Sequence, residues 1–234
     1  MSDMTGAGHE TRPVSIPADG VSLQGDLTLA PGTRGVVVFV HGSGSSRLSP
    51  RNRMVARRLQ DGGFGTLLFD LLTAREEAAD AVTRELRFDI EFLAARLAAA
   101  TAWLVSQSPA PGLPVGYFGA STGAAAALVG AVRHPGRVSA IVSRGGRPDL
   151  AGPLLREVAA PTLLIVGGED RTVLRLNRGA LAQLGCEVKE LAIVPGATHL
   201  FEEPGTLEQA AELAGRWFAR HLGQREGAAP PSVV

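Results

Sequence analysis

Short apolar runs alternate along this chain with longer segments in which apolar residues recur at helical spacing. Residues 14–30 hold two stretches of alternating apolar and polar residues around Asp19-Gly20, a pair that favours a tight turn between antiparallel strands. Six further runs predict strands: GVVVFV (35–40), GTLLFD (65–70), VGYFG (115–119), VSAIVS (138–143), PTLLIVG (161–167) and EVKELAIV (187–194). Four of these runs are continuously apolar, which is typical of strands buried on both faces of a parallel sheet.

Helical patterns fill the gaps between these runs. The first begins at Ser49, a favoured N-cap residue, and ends at Gly62, a favoured stop. Further helices are predicted over 86–107 (with Phe88 on the apolar face), 121–133, 171–184 and 206–222. A hairpin followed by repeated strand–helix units predicts an α/β fold, with a mostly parallel, doubly wound sheet of about eight strands flanked by helices.

The two ends of the chain differ in composition from this alternating region. Residues 1–12 are small and polar, and residues 223–234 are rich in Gly, Ala and Pro. We expect both ends to be flexible tails. Residues 13–222 should then form a single domain, because no linker or repeat divides them and they are numerous enough to bury one large core.

Composition narrows the classes of partner. Lys+Arg and Asp+Glu number 23 each, and this balance does not favour nucleic acid or an anionic membrane surface as a partner. The apolar runs are too short to span a bilayer, and the N-terminal residues lack the pattern of a secretory signal. Cys186 is the only cysteine, so no intrachain disulfide is possible. We expect a cytoplasmic protein that acts on a small molecule, with its oligomeric state left open.

The segment VGYFGASTGAAAAL (115–128) passes from a predicted strand through a glycine-flanked serine into a predicted helix. Gly119 and Gly123 flank Ser121 at Gly-x-Ser-x-Gly spacing, and this spacing between a strand and a helix is the pattern of a nucleophile elbow. Larger side chains at the two glycine positions would crowd so sharp a turn. Ser121 is therefore the candidate nucleophile.

A serine nucleophile needs a base, and five histidines are available. His9 lies in the predicted tail, and His134 and His221 lie at helix ends, where histidine is an ordinary surface residue. His41 directly precedes a glycine turn. His199 follows the last predicted strand, and the order Ser, acid, His found in these folds selects His199 as the base.

The acid should orient the imidazole and stabilise its charged form. Asp170 follows the strand predicted over 161–167 and lies between Ser121 and His199 in the chain. Glu169 and Asp149 are competitors, since both also lie beyond the carboxyl ends of predicted strands. Asp170 is the favoured candidate.

The tetrahedral intermediate of acyl chemistry needs two aligned N–H donors. One donor should be the backbone amide of Thr122, which follows the nucleophile. The other should come from the loop HGSGSS (41–46), where Ser43 is the candidate and Gly44 the alternative. The loop has neither the Gly-x-Gly-x-x-Gly nor the Gly-Lys-Ser/Thr pattern of a phosphate cradle. No cofactor and no metal are expected.

The set Ser121, Asp170 and His199, with HGSG upstream, resembles the α/β-hydrolase superfamily over residues 13–222. Within it the chain is similar to the dienelactone hydrolase-like group, whose members lack a large cap, because the segment between the fourth and fifth of the six runs, from Ser143 to Pro161, is too short for a lid domain. Dienelactone hydrolases proper use a cysteine in the elbow. The resemblance therefore implies a serine variant, acting as an esterase or lactonase.

Four arginines lie on the expected active-site edge. Arg47 and Arg51 follow the HGSGSS loop, and Arg144 and Arg147 follow the strand predicted over 138–143. Guanidinium groups of this kind suit a carboxylate or a phosphate on the substrate. The alternative is a solvated arginine surface, because the chain has almost no lysine to share that role.

The sequence thus predicts an enzyme that cleaves a carboxylic ester or lactone of a small substrate, neutral or anionic, through an acyl-serine intermediate. Acyl transfer to an acceptor other than water would use the same residues. A binding module that kept the fold without catalysis is the remaining alternative, and the complete set of nucleophile, base and acid argues against it.

Overall fold

The computed structural model describes residues 9–107 and 112–222, so most of both predicted tails, 1–8 and 223–234, lies outside the described residues. Within these ranges the chain forms eight strands: β1 (Glu10–Ala18), β2 (Val21–Leu29), β3 (Val36–Val40), β4 (Gly65–Phe69), β5 (Val115–Ala120), β6 (Val138–Arg144), β7 (Thr162–Gly167) and β8 (Lys189–Val194). The α-helices are α1 (Pro50–Asp61), α2 (Ala74–Thr83), α3 (Ile90–Gln107), α4 (Thr122–Arg133), α5 (Arg171–Gln183) and α6 (Thr206–His221). None of the described helices is both long and apolar enough to cross a bilayer.

The strands form one sheet in the order β1-β2-β4-β3-β5-β6-β7-β8. The pairings of β2 with β1 and with β4 are antiparallel, and the other pairings are parallel. The predicted mostly parallel sheet flanked by helices is confirmed. Between β6 and β7 the chain forms a 3-10 segment, Pro148–Glu157, that packs against α4 and α5, so residues 145–161 carry no cap domain.

The predicted hairpin joins β1 to β2. Asp19 and Gly20 form its turn with φ angles of 45° and 79°, and positive φ at both positions matches the natural twist of the two strands. β1 begins at Glu10, opposite Leu29, three residues before the domain start predicted at residue 13. The boundary differs because the backbone ladder continues through polar residues that an apolar pattern cannot detect.

Both faces of the sheet are covered. Successive side chains of a strand point to opposite faces; α3 and α4 cover one face, and α1 and α6 cover the other. Every residue of β3, β4, β5 and β7 is buried. The continuous apolar runs in the sequence reflect this two-sided burial.

The region between β4 and α3 departs from the sequence prediction. Residues 86–107 do not form one helix, because Asp89 Oδ1 accepts a hydrogen bond from the Phe92 amide at 3.0 Å and caps α3 there. Phe88 lies in a 3-10 turn (Leu86–Phe88) before that cap and is 56% exposed, not buried on an apolar face. The helix α2 was not predicted, although Thr73 and Glu76 form a capping box at its start.

Candidate active site

The strand order reverses at β3, which lies between β4 and β5. In α/β sheets the crevice outside the carboxyl ends of the strands at such a point is where ligands bind. The loop after β3 carries Ser43, and the turn after β5 carries Ser121. Asp170 follows β7 and His199 follows β8. All four predicted residues therefore lie along one edge of the sheet.

Ser121 occupies a strained turn between β5 and α4. Its φ of 51° and ψ of −124° are unusual for a residue with a side chain, and such a conformation costs on the order of 1–3 kcal/mol. A Cβ at Gly123 would lie 2.2 Å from the Val40 carbonyl oxygen, and one at Gly119 would lie 2.5 Å from Ala124 Cα. The two glycines thus let α4 approach β3 and β5, which is the mechanical role expected of them.

His199 and Asp170 form a hydrogen-bonded pair. The distance from His199 Nδ1 to Asp170 Oδ2 is 2.6 Å, and a carboxylate can only accept there, so Nδ1 carries the proton and Nε2 is the ring's acceptor. The other carboxylate oxygen, Oδ1, accepts from the Val173 amide at 3.3 Å at the start of α5. Two bonds therefore fix the carboxylate, while the His199 side chain stays 41% exposed.

The competing acids have other surroundings. Asp149 accepts hydrogen bonds from Arg147 Nε at 2.9 Å and from Arg147 Nη2 at 2.8 Å. Glu169 has an exposed side chain, and its backbone amide donates to Ala197 O. Of the three carboxylates considered from the sequence, Asp170 is the one that contacts His199.

One short segment after β6 contacts the regions of both Ser121 and His199. The Arg147 amide donates to the Ser121 carbonyl oxygen at 3.0 Å. A Cβ placed on Gly145 would lie 3.1 Å from His199 O and 3.8 Å from its ring carbon Cε1. The segment therefore fixes the elbow and the histidine loop on one common support.

The predicted oxyanion donors lie together, with one contact that the sequence did not indicate. The Ser43 amide donates to Thr122 Oγ1 at 3.1 Å, and the two side-chain hydroxyls are 3.0 Å apart. A Cβ on Gly42 would lie 2.8 Å from Ser121 Cβ, so this loop packs directly against the candidate nucleophile. The Thr122 amide lies in the first turn of α4, where N–H groups have no partner within the helix. Gly44, the alternative donor, has a φ of 66°.

His41 holds the same loop in place. Its Nδ1–H donates to Gly42 O at 2.9 Å, and its Nε2 accepts from the Leu71 amide at 3.0 Å. The ring is only 8% exposed, and burial lowers its pKa from the ordinary histidine value, a direction that the nearby carboxylates of Asp70 and Glu77 oppose but do not reverse. Both ring nitrogens are used in the neutral form, so His41 is a structural histidine.

A cavity of about 180 Å³ opens beside Ser43 and Thr122. Its apolar wall is formed by Leu71, Leu72, Ala81 and Leu93. These lining residues were not predicted from the sequence, because the wall depends on how α2 and α3 pack. The capping box of α2 was the available signal, since it places a helix over this part of the edge.

Three of the four predicted anion-binding arginines sit in ion pairs. Arg47 pairs with Asp70, Arg51 Nη1 lies 3.3 Å from Glu202 Oε1, and Arg147 pairs with Asp149. Arg144 differs from all three. It is 7% exposed, and its Nε and Nη1 have no hydrogen-bond partner within the described ranges.

Cys186 stands apart from this edge. It is a free, buried thiol, and burial raises its pKa, which disfavours the nucleophilic thiolate form. Among residues 9–107 and 112–222, no group of three or more His, Cys, Asp or Glu residues is arranged to hold a metal ion. The nucleophile candidate at the crevice is Ser121.

Known proteins share this architecture. A dienelactone hydrolase from Anabaena variabilis, known from a crystal structure, is 55% identical in sequence and superposes with a TM-score of 0.89; the match covers 92% of this chain and 99% of that one. An esterase from Pyrococcus furiosus is 18% identical with a TM-score of 0.73, over 92% of this chain and 94% of that one. At so low an identity the second likeness concerns the fold alone.

A Mycobacterium tuberculosis protein, provisionally named a phosphoribosyl transferase, is 58% identical over 209 residues. The match covers 89% of this chain and 46% of that protein, so the chain spans about half the length of the curated relatives it matches. The sequence model of the dienelactone hydrolase family matches residues 27–224 of this chain. The resemblance inferred from the elbow, acid and histidine is thereby confirmed: this chain belongs to the dienelactone hydrolase family and has the α/β-hydrolase fold.

Proposed function

We propose that this protein is a serine hydrolase that cleaves a carboxylic ester or lactone of a small substrate through an acyl-serine intermediate. Ser121 is the nucleophile, His199 the general base and Asp170 the residue that orients the base. The observation that carries the proposal is the 2.6 Å bond from His199 Nδ1 to Asp170 Oδ2. It leaves Nε2 as the acceptor on a loop that shares its support with the serine elbow.

In the first half of the reaction, Ser121 Oγ attacks the carbonyl carbon of the ester while His199 Nε2 takes the hydroxyl proton. The tetrahedral intermediate collapses when the carbon–oxygen bond to the alcohol breaks, and His199 returns the proton to that leaving oxygen. In the second half, water attacks the acyl-serine and His199 again takes and returns one proton. The products are a carboxylic acid, an alcohol and the free serine; a lactone gives one hydroxy acid.

The developing oxyanion would accept hydrogen bonds from the amides of Thr122 and Ser43. The Ser43 amide donates to Thr122 Oγ1 in this structure. The substrate oxygen must therefore either displace the Thr122 hydroxyl from this amide or accept from the amide together with it. An anionic oxygen accepts a stronger hydrogen bond than a neutral hydroxyl does. The exchange therefore favours the transition state over the resting enzyme, as catalysis requires.

The cavity beside Ser43 and Thr122 suits a short apolar part of the substrate. Its volume of about 180 Å³ and its wall of leucine and alanine side chains match a compact acyl or alcohol group better than a long chain. The pocket also borders both oxyanion donors, which would place a bound carbonyl next to them. We assign the small-molecule substrate to this cavity.

Water is the favoured acyl acceptor. The His199 side chain is 41% exposed, so solvent reaches the base that must activate the acceptor, and transfer to another molecule would require that water be excluded. The transferase name of the Mycobacterium relative belongs to a protein of which this chain matches 46%. A serine in a nucleophile elbow, together with a hydrogen-bonded imidazole and carboxylate, is the set of groups that catalyses acyl transfer to water or to another acceptor.

The decisive experiment is a burst assay with 4-nitrophenyl butyrate. We expect rapid release of about one 4-nitrophenolate per enzyme before the steady state, with a butyryl adduct on the peptide containing Ser121 by mass spectrometry. Ser121→Ala should abolish both signals, and Ser106→Ala, which removes an exposed serine of α3, should change neither. Turnover with no adduct, or an adduct on another residue, would contradict the proposed mechanism.

A further inference from the structure

The buried face of α5 contains a polar side chain. Val173, Asn177 and Ala180 are the buried residues of this helix, and their helical spacing places them along one side of it. Asn177 is completely buried, with 0% of the residue exposed. Burying an amide is costly unless its hydrogen bonds are made. The asparagine at this position is therefore explained by the bonds that it makes.

The side-chain amide of Asn177 donates two hydrogen bonds to backbone carbonyls. Its Nδ2 donates to Val173 O at 2.8 Å, one turn earlier in the same helix, and to Gly146 O at 2.9 Å, in the segment after β6. A carbonyl oxygen can only accept, so the NH2 end of the amide must face both partners. A leucine of similar size would fill the site but could donate neither bond.

The segment that receives the second bond consists of Gly145, Gly146 and Arg147, and we call it the support segment. Each of these residues is bonded to a different element. The Gly145 amide donates to Ile165 O of β7 at 2.8 Å, and the Arg147 amide donates to Ser121 O at 3.0 Å. The Gly146 carbonyl, between these two amides, is the group that α5 holds, and Gly146 itself is buried.

The helix that holds the support segment also carries the proposed acid. Asp170 is the N-cap of α5, and its Oδ1 accepts from the Val173 amide at 3.3 Å. Asn177 lies about two turns further along the same helix. From there it reaches the support segment, whose Arg147 amide holds the carbonyl of Ser121. One buried side chain thus joins the element that carries the acid to the segment that holds the nucleophile.

We propose that Asn177 is a positioning residue, which fixes the Ser121 elbow relative to the imidazole of His199. This inference rests on the proposed function, and it adds a residue that acts through the backbone without touching the substrate. When the amide is removed, the buried Gly146 carbonyl loses its donor and the support segment can shift. A misplacement of about 1 Å between reacting groups can cost about 100-fold in rate.

The test compares Asn177→Leu with a control that removes a buried hydrogen bond elsewhere. Asn177→Leu keeps the size of the side chain and removes both donated bonds. Thr101→Val removes a hydroxyl of α3 that donates to Leu97 O at 2.9 Å and lies 2.8 Å from Tyr117 Oη. Each change leaves a buried polar group without its partner, so each should lower the melting temperature, by about 2–12 °C. Only the change at Asn177 should alter catalysis.

The rates are expressed per active serine. Diethyl 4-nitrophenyl phosphate transfers its phosphoryl group once to an activated serine and releases one 4-nitrophenolate, so the final yield counts competent enzyme. Per active serine, Asn177→Leu should lower kcat for 4-nitrophenyl butyrate by about 10- to 100-fold. KM should stay within about threefold, because no residue of the support segment lines the cavity beside Thr122. Thr101→Val should keep both constants within about threefold.

Hydrogen exchange, followed by NMR, gives a readout that does not depend on turnover. The Arg147 amide is bonded to Ser121 O. In Asn177→Leu its exchange should accelerate by about 10- to 100-fold, the effect of one lost buried hydrogen bond on a local opening. The Val173 amide at the start of α5 should change by less than about threefold, because its bond to Asp170 is untouched. Equal acceleration of the two amides would show general loosening of the fold and would overturn the inference.

A second variant isolates the bond to Gly146. Asn177→Ser keeps a donor for Val173 O, one turn earlier in the helix, but it is too short to reach Gly146 O, so its kcat should also fall. Wild-type kcat per active serine in either Asn177 variant, or an equal loss in Thr101→Val, would overturn the inference while ester cleavage itself stands. A raised KM at unchanged kcat would assign Asn177 to binding instead. Absence of an adduct on Ser121 in the wild type would contradict the proposed function.

Discussion

The loops after β3 and β8 each carry a histidine at the same edge of the sheet, and the two histidines differ in what they leave unused. His41 is buried, with both ring nitrogens hydrogen-bonded to backbone groups of Gly42 and Leu71. The His199 side chain is 41% exposed. Its Nδ1 is bound to Asp170, and within the described ranges its Nε2 has no hydrogen-bond partner. Both ring nitrogens of His41 are therefore hydrogen-bonded, whereas in His199 the Nε2 acceptor is available to another group.

This difference indicates that spare hydrogen-bonding capacity, not residue type, distinguishes the proposed base from a structural histidine. A neutral imidazole has one donor and one acceptor, and His41 spends both on holding the oxyanion loop. His199 spends only its donor, on a carboxylate that would also stabilise the imidazolium. The same reasoning separates Arg144, which forms no ion pair within the described ranges, from Arg47, Arg51 and Arg147, which do.

The strongest test of the comparison removes each reactive group. Ser121→Ala and His199→Ala should each lower kcat for 4-nitrophenyl butyrate by at least about a thousandfold, because nucleophile and base act as one unit. The double variant should be little worse than either single variant. Retention of more than a tenth of the wild-type kcat in His199→Ala would show that His199 Nε2 is not the general base.

The carboxylates offer the next test. Asp170→Asn should lower kcat by about 10²- to 10⁴-fold, since an amide can present a donor to Nδ1 and so favour the wrong tautomer. Asp149→Asn should change kcat by less than threefold, because Asp149 contacts Arg147 rather than the histidine. Equal losses in steady-state assays of the two variants, at unchanged melting temperature, would contradict the assignment.

The sequence was sufficient for the features whose signals are local. The elbow is encoded by two glycines around Ser121, and their close contacts with Val40 and Ala124 explain why no larger residue fits. The positions of Asp170 and His199 follow from chain order and from the ends of the predicted strands. Each of these features depends on only a few neighbouring residues, so it can be recognised from the sequence alone.

Partners contributed by distant segments could not be predicted in this way. The charge of Arg51 is balanced by Glu202, which lies far away in the chain, and the sequence alone does not separate it from Arg144. The cavity beside Ser43 and Thr122 depends on the packing of α2, and the Ser43 amide meets the Thr122 hydroxyl only when β3 and α4 are adjacent. Such contacts are set by tertiary structure.

A third prediction concerns the structural histidine. His41→Leu fills the buried site with a side chain that can neither accept from the Leu71 amide nor donate to Gly42 O. Leaving such buried groups unsatisfied should lower the free energy of unfolding by about 1–3 kcal/mol. The catalytic groups are untouched, so kcat should stay within about tenfold of the wild type in assays well below the melting temperature. A thousandfold loss of kcat at unchanged stability would instead place His41 in the chemistry.

The smallest expected effect is the pH dependence that His41 gives to stability. Burial lowers the pKa of His41 in the folded protein, and in the unfolded chain a histidine titrates near 6.5. The unfolded state therefore binds more protons in the interval just below pH 6.5, and stability falls there as pH decreases. Above pH 6.5 both states are neutral at this site and the contribution of His41 is fully present.

His221 also has a pKa lowered by burial, so the wild type alone cannot isolate the effect. The informative quantity is the difference in unfolding free energy between the wild type and His41→Leu, measured by urea titration from pH 7.5 down to 5. Because His221 contributes to both proteins, its share cancels. The difference should shrink as pH falls below 6.5, by at most about 1.4 kcal/mol per pH unit for one proton. A difference independent of pH would mean that His41 accepts a proton as readily in the folded protein as in the unfolded chain, and its two bonds to Gly42 and Leu71 would then not hold the neutral ring.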